Sequence, residues 1–222
     1  MKIENIKACV FDAYGTLFDV NSAAAKCKEK LGSRWEGFAN AWRTTQLEYT
    51  WLRSLMKKHK NFWEITEDSL DHTMETFKIK KEMRNELLDL YKKLSPYPEV
   101  KECLEGLKAK KIKIAILSNG TPDLLKGLVE SNNIQIYFDD IFSVEHVGIY
   151  KPDSRVYEMP IKKYDCKPEN ICFMSSNTWD VSGGGVFGYN AVWVNRFNKV
   201  FDKLSYKPKF VINNLKELLK II

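Results

Sequence analysis

The 222-residue sequence predicts an α/β protein with a mostly parallel sheet and a long helical segment inserted near its start. Three observations predict it. Short apolar runs recur along the chain, charged helical stretches alternate with them, and from Asn21 to Ser95 the alternation stops. Strands that alternate with helices are the pattern of a parallel sheet covered by helices.

The first run, Ile6–Phe11 (IKACVF), is short and rich in Val, Ile and Phe, as strands buried on both faces are. The stretch from Asn21 to Ser95 has no strand signal. It is helical in pattern and rich in Trp, Leu, Lys and Glu, with Phe38, Trp42, Thr45, Tyr49, Leu52 and Met56 at three- and four-residue spacing, which predicts one amphipathic stripe. Ser95-Pro96-Tyr97-Pro98 closes it. A helix over Glu99–Lys111 then leads into a second strand, Ile112–Leu117, which ends at Ser118-Asn119-Gly120. Thr121-Pro122-Asp123 starts the next helix with a cap residue, a proline at the first helical position and an acid in the first turn. Strands follow at Ile141–Val144, Ile171–Met174 and Ala191–Val194, with a short sixth at Phe210–Ile212. Domain limits follow: residues 1–18 and 96–222 form the sheet domain, and residues 19–95 the helical insert.

Composition excludes several classes. At 44% hydrophobic and 29% charged, with 11 Gly and 7 Pro, the chain is neither disordered nor of low complexity. Its 35 basic and 29 acidic residues are interspersed, with no like-charge block of the kind that makes a nucleic-acid tail. Five cysteines (Cys9, Cys27, Cys103, Cys166, Cys172) form no C-x-x-C pair and cannot all be bridged, which is intracellular usage. The longest uncharged stretch, Val181 to Asn195, is too short for a bilayer, and the N-terminus has no signal-peptide pattern. A cytoplasmic protein without membrane or nucleic-acid partners is expected.

In open α/β sheets, ligands bind beyond the carboxyl ends of the strands. Chemistry is therefore expected in Asp12–Phe18, Ser118–Thr121, Glu145–Asp153 and Ser175–Gly184, and an insert after the first strand lies over that same edge. Asp12, on a tight turn at Gly15, faces the crevice, and Thr16 can donate a hydrogen bond to it. An Asp capping a turn is the bland alternative. Ser118-Asn119-Gly120 at a helix start offers donors to an anion, although S-N-G is also a common plain turn. Lys151, in Y-K-P-D, can pair with Asp12 and keep it ionised; otherwise it is a surface lysine. Ser175-Ser176-Asn177-Thr178-Trp179-Asp180 is dense in polar groups at a strand end, and Gly183-Gly184-Gly185 lets the following helix approach the sheet, or cradles a phosphate.

Together these four loops, in order and spacing, resemble the four motifs of the haloacid dehalogenase superfamily, and the likeness spans the whole chain. Most members of that superfamily are phosphatases with Asp-x-Asp-x-Thr first and paired acids in the fourth motif. Here Tyr14 stands at the second aspartate, and Ser175 and Asp180 stand without an adjacent acid pair. Phosphate ester transfer needs an acid for the leaving alkoxide and magnesium for the phosphate charge; Tyr14 is a poor acid, and magnesium prefers more carboxylate than remains. Halide leaves as a stable anion and needs neither. The segments D-A-Y-G-T-L-F-D, W-R-T-T-Q-L-E-Y-T-W, L-S-N-G, Y-K-P-D-S-R-V-Y-E and S-S-N-T-W-D are similar to those of the L-2-haloacid dehalogenase subgroup.

That resemblance implies a Rossmann-like sheet with helices on both faces, an inserted helical cap, and hydrolysis of L-2-haloalkanoic acids to D-2-hydroxy acids through an aspartyl ester with a single inversion. No cofactor or metal is implied. Asp12 is the implied nucleophile, supported by Thr16; Arg43 receives the halide; Ser118 and Asn119 hold the substrate carboxylate. Lys151 keeps Asp12 ionised and Tyr157 supports the site, while Asp180, with Ser175 and Asn177, positions or deprotonates the water. Tyr14, Leu47, Phe62 and Trp179 line the substrate pocket, ordinary core packing being the alternative for the last three. Of the three histidines, His59 and His72 lie outside the loops, and His146, the nearest, is read as packed or solvated. Thr44 beside Arg43 departs from relatives and alters pocket size, and Pro160 is expected to interrupt the helix after Tyr157. The family also implies a homodimer with a 2-haloalkanoate and a halide as its small partners. The rivals are a magnesium-dependent phosphatase, told apart by metal-dependent phosphate release, and a non-catalytic binding module, told apart by thermal stabilisation without turnover.

Overall fold

The computed structural model describes residues 2–222. Six strands form one sheet: β1 (Ala8–Phe11), β2 (Lys113–Ser118), β3 (Asp140–Ser143), β4 (Ile171–Ser175), β5 (Asn190–Val194) and β6 (Phe210–Ile212). The order is β3-β2-β1-β4-β5-β6 and every pairing is parallel. β1 is central, pairing with β2 through Val10 and Ala115 and with β4 through Val10 and Phe173. All four of its residues are buried, which is why the run carries no polar alternation. Each expected strand is present, displaced by no more than two residues at either end.

Helices α1 (Ser22–Lys26), α2 (Lys28–Leu31), α3 (Trp35–Leu55), α4 (Phe62–Thr76) and α5 (Met83–Tyr91) follow β1. The remainder are α6 (Val100–Ala109), α7 (Pro122–Ser131), α8 (Ser154–Tyr164), α9 (Thr178–Phe187) and α10 (Leu218–Ile221). α6 packs with α10 on one face of the sheet and α8 with α9 on the other, as right-handed crossovers leading in opposite directions from β1 require. The chain leaves for α1 and returns from α5 side by side. Asp19 N donates to Ser95 O at 2.9 Å, and Tyr97 N donates to Leu17 O at 3.0 Å.

α3 and α4 pack along their length, and α4 opens with a reciprocal cap between Asn61 and Glu64. The buried side of α3 is not the expected stripe. It runs through Phe38, Ala39, Trp42, Gln46 and Thr50, whereas Leu52 and Met56 are 51% and 60% exposed. The polar members can be buried because they are bonded: Gln46 Nε2 donates to Thr66 Oγ1 at 2.7 Å, and Thr50 Oγ1 to Leu47 O at 2.6 Å.

Two further expectations meet the structure differently. α8 continues four residues beyond Pro160, and Val156, Tyr157 and Pro160 are its buried face; packing of that face outweighs the one missing backbone donor. Gly183 and Gly184 lie within α9, where a Cβ would come within 2.5 Å of Tyr157 Oη and 2.7 Å of Phe173 Cδ1 respectively. The close-approach reading of the glycine run therefore holds. Among the described residues, no helix is long and apolar enough to cross a membrane.

Candidate active site

Four loops at the carboxyl ends of β1, β2, β3 and β4 converge on Asp12. The strand ladder carries on into this residue, because Asp12 N donates to Met174 O at 2.9 Å, and its side chain is 6% exposed. Three donors hold Oδ2: Thr16 Oγ1 at 3.0 Å, Asn177 Nδ2 at 2.8 Å and Ser175 Oγ at 3.4 Å. Oδ1 has a single donor, Lys151 Nζ at 3.2 Å. The carboxylate plane is thus fixed through Oδ2, and Oδ1 keeps the freer lone pair. Gly15, at φ +87°, makes the turn that returns Thr16 to Asp12. Ser176 N in turn donates to Thr16 Oγ1 at 2.8 Å, so the loop after β4 grips the loop after β1.

The Lys151 side chain is fully buried, and its ammonium lies between two carboxylates, Asp12 and Asp180, the latter at 2.9 Å. Tyr157 Oη donates to the other Asp180 oxygen at 2.7 Å. Burial raises the Asp180 carboxyl from its ordinary value to about 6, with the Asp12 charge adding to the rise while Lys151 and Tyr157 oppose it. Burial likewise holds Tyr157 and Tyr14 well above the usual phenol range, so both remain donors.

At the end of β2, Gly120 N donates to Ser118 Oγ at 3.1 Å, Ser143 Oγ donates to Gly120 O at 2.6 Å, and Lys151 N donates to Asn119 Oδ1 at 3.2 Å. Thr121 caps α7 through Leu124 N, with Pro122 next, as the sequence indicates. Tyr14 reaches this turn: a Cβ on Gly120 would come within 2.9 Å of Tyr14 Oη, and that hydroxyl is buried without a protein partner.

Facing the loops, α3 supplies Arg43, half-buried, whose Nη1 donates to Gln46 Oε1 at 2.8 Å. Gln46 is held by Thr66 and by Tyr91 Oη, at 3.1 Å from Gln46 Nε2. Arg43 lies near enough for its charge to act on both Tyr14 and Tyr91, and among the described residues no carboxylate pairs with it. Phe62 is fully buried, its ring 5.1 Å from Tyr14 and 6.4 Å from Tyr150. Leu47 is one turn beyond Arg43. Trp179 meets Trp51 of α3 edge-on at 5.5 Å, across the gap between the sheet loops and the helical segment.

The structure thus brings together Asp12, Thr16, Lys151, Tyr157, Ser175, Asn177 and Asp180, with Ser118, Asn119 and Tyr14 along one edge. Sequence reasoning passed over Gln46 and Tyr91, which orient Arg43, and Glu145. The Glu145 carboxylate accepts from Phe62 N at 3.0 Å and pairs with His59 Nε2 at 2.9 Å, tying the helical segment to the sheet domain. Gln46, three residues from Arg43 on one helix face, is the one such signal the sequence carries. Among the described residues, no three His, Cys, Asp or Glu side chains cluster as metal ligands would. The cation between the two buried acids is the lysine.

Residues 6–188 match the family model of haloacid dehalogenase-like hydrolases. The chain is 41% identical to (S)-2-haloacid dehalogenase 1 of Pseudomonas sp. (strain CBS-3), covering 99% of this chain and 98% of that one. It is 42% identical to the (S)-2-haloacid dehalogenase of Pseudomonas fluorescens, covering 97% and 96%. The L-2-haloacid dehalogenase of Xanthobacter autotrophicus, solved with chloropropionic acid covalently bound, superposes with a TM-score of 0.90 at 32% identity over 97% of each chain.

Proposed function

The chain belongs to the haloacid dehalogenase-like hydrolases, and we propose that it hydrolyses L-2-haloalkanoic acids to D-2-hydroxy acids. The observation that carries this reading is the Lys151 ammonium between the buried carboxylates of Asp12 and Asp180, with Tyr14 where a phosphatase of the superfamily has its acid. It is a hydrolase acting on carbon–halide bonds.

Asp12 Oδ1 attacks Cα of the substrate; the new O–Cα bond forms as the carbon–halogen bond breaks, and the electron pair leaves with the halide. In-line attack needs the reacting atoms at about 3–3.5 Å. Ser118, Asn119 and the first amides of α7 hold the substrate carboxylate, with the Tyr14 hydroxyl beside them. Arg43 receives the halide, a preorganised cation aimed at charge that appears only in the transition state. Leu47, Phe62 and Trp179 form the apolar wall. Water then attacks Cγ of Asp12, giving one proton to Asp180; the acyl C–O bond breaks, the released alkoxide takes that proton, and the Asp12 carboxyl gives up the water's second proton to solvent, restoring the carboxylate. Tyr157 and Lys151 hold Asp180 in place, and Ser175, Asn177 and Thr16 hold the Asp12 carboxylate. Because water attacks Cγ and not Cα, inversion occurs once. The reaction draws on no cofactor or metal.

Residues 19–95 act as the cap and the rest as the catalytic domain, in a homodimer working in the cytoplasm. The exposed Leu52, Leu55 and Met56 on α3 support a covered face on the cap, and five free cysteines suit a reducing compartment. The decisive assay is chloride release from each enantiomer of 2-chloropropionate in EDTA. Release from the L form alone, with D-lactate appearing, is expected. Silence from both enantiomers, or a requirement for magnesium, would overturn the reading.

A further inference from the structure

A small cleft of about 140 Å³ runs between α3 and the loops after β1, β4 and β5, lined among others by Gly15, Arg43, Ser176, Asn177, Arg196 and Lys199. It touches the site directly, since Asn177 binds Asp12 and Arg43 faces it. None of its lining residues is acidic. Two of its lining groups are buried polar atoms without a protein partner, Ser176 Oγ and Arg196 Nε. Arg196 is a built part of the wall. Its side chain is 7% exposed, it pairs with Glu99, Nη2 donates to Thr16 O at 2.8 Å, and the guanidinium stacks over Tyr97 at 3.9 Å. Those contacts hold the group in the wall and leave its Nε–H buried and unpartnered beside the cleft.

We propose that this cleft is the path by which halide leaves Arg43 for solvent, past Ser176 and Arg196 and out beside Lys199. The proposal rests on the dehalogenase reading and extends it to product release. Backside attack by Asp12 sends the halide away from the nucleophile toward Arg43, which forms part of the cleft wall. The opposite edge, at Ser118 and Asn119, holds the substrate's own carboxylate, and a second anion leaving that way meets like charge. An anion moving through apolar packing would lose its hydration with nothing in its place. Here the Ser176 hydroxyl, Arg196 Nε–H and the Lys199 ammonium replace it in sequence. At ~30 Å³ per water, the cleft holds a monatomic ion with a partial shell. Glu99 offsets much of the Arg196 charge, so Arg43 and Lys199 set the sign of the field.

The test is rapid quench with L-2-chloropropionate, which reads carbon–halogen cleavage in the first turnover, set against steady-state chloride release. Asn40, exposed on α3, lines the cleft, and Asn40→Trp narrows it. First-turnover cleavage is expected to stay near the wild-type rate while steady-state turnover falls by about fivefold or more, as when product release limits kcat. After dilution from bromide, the lag before turnover should lengthen in the same variant. Lys199→Glu should slow turnover at low ionic strength and recover in sodium sulfate. Lys167→Glu, the same charge change before β4 at the far end of the sheet, should do neither. Wild-type turnover in both cleft variants, or first-turnover cleavage slowed as much as the steady state, would overturn the path. A wild-type protein that cleaves neither enantiomer would overturn the dehalogenase reading itself, and the path with it.

Discussion

On the sheet side of the crevice, Asp12 accepts from four side chains drawn from three loops, and each of those loops is anchored to a strand end or to another loop. On the helical side, Arg43 has one side-chain partner, Gln46, and the helices meet the sheet domain through Phe62 and Tyr91 packed on Tyr14, Tyr150 bonded to Lys60 O, and Glu145 with His59 and Phe62. The proposed nucleophile is held by a parallel sheet whose central strand is buried on both faces. The cation that meets it comes from a separate helical layer. A reaction needs both within tenths of an ångström, yet only one side hangs directly on strand ends. The other is free to differ in what it admits, and we read the division as chemistry on the sheet and selection on the cap.

The comparison breaks first at the nucleophile. Asp12→Asn should lower turnover by roughly 10⁴-fold or more, while the melting temperature stays nearly unchanged, because Asn keeps the shape and Lys151 retains Asp180. Wild-type chloride release from this variant would remove Asp12 from its role. On the helical side, Arg43→Gln should cost about 10²–10³ in kcat, the range for losing one preorganised charge-stabilising donor. A loss confined to KM would mean that Arg43 binds substrate without stabilising the leaving halide.

A third experiment concerns the second step alone. Asp180 sits at about 6, raised by burial, and must be ionised to accept a proton from water. The ester removes the Asp12 charge that adds to this rise, so hydrolysis followed in single turnovers should fall about tenfold per pH unit below a point lying under that value and be flat above it. A flat profile down to pH 4.5 would assign the proton to another group. The smallest effect belongs to the latch between the layers. His59 and Glu145 are both partly solvated, so His59→Ala should cost less than about 1 kcal/mol in a denaturant melt. It should change KM more than kcat if the cap selects and the sheet reacts.

Much of this was legible in the sequence, for a physical reason. Strands buried on both faces are continuous apolar runs, and their ends carry the residues that need a rigid frame, so Asp12, Ser118 and Ser175 are found by where β1, β2 and β4 stop. The helical insert was legible as a missing strand signal. The face of α3 was not, because hydropathy counts Gln46 and Thr50 as exposed when bonding lets them be buried, and counts Leu52 and Met56 as buried on a helix whose end runs out into solvent. The orientation of Arg43 through Gln46, Thr66 and Tyr91 was equally hidden. It joins three helices, and no spacing within one element reveals a partner 20 or 45 positions away.

The paired chain crossings at Leu17–Asp19 and Ser95–Tyr97 carry a consequence for how such proteins diversify. Entry and exit of residues 19–95 lie next to each other and are joined by two backbone hydrogen bonds, so the whole segment enters and leaves the sheet domain at one short double rung. Lengthening, trimming or exchanging it leaves every strand register intact, as insertions at a surface junction do. New specificities can therefore be grafted by chimera at Asp19 and Ser95, provided the incoming segment supplies its own cation at the place of Arg43, with the Asp12–Lys151–Asp180 arrangement inherited unchanged.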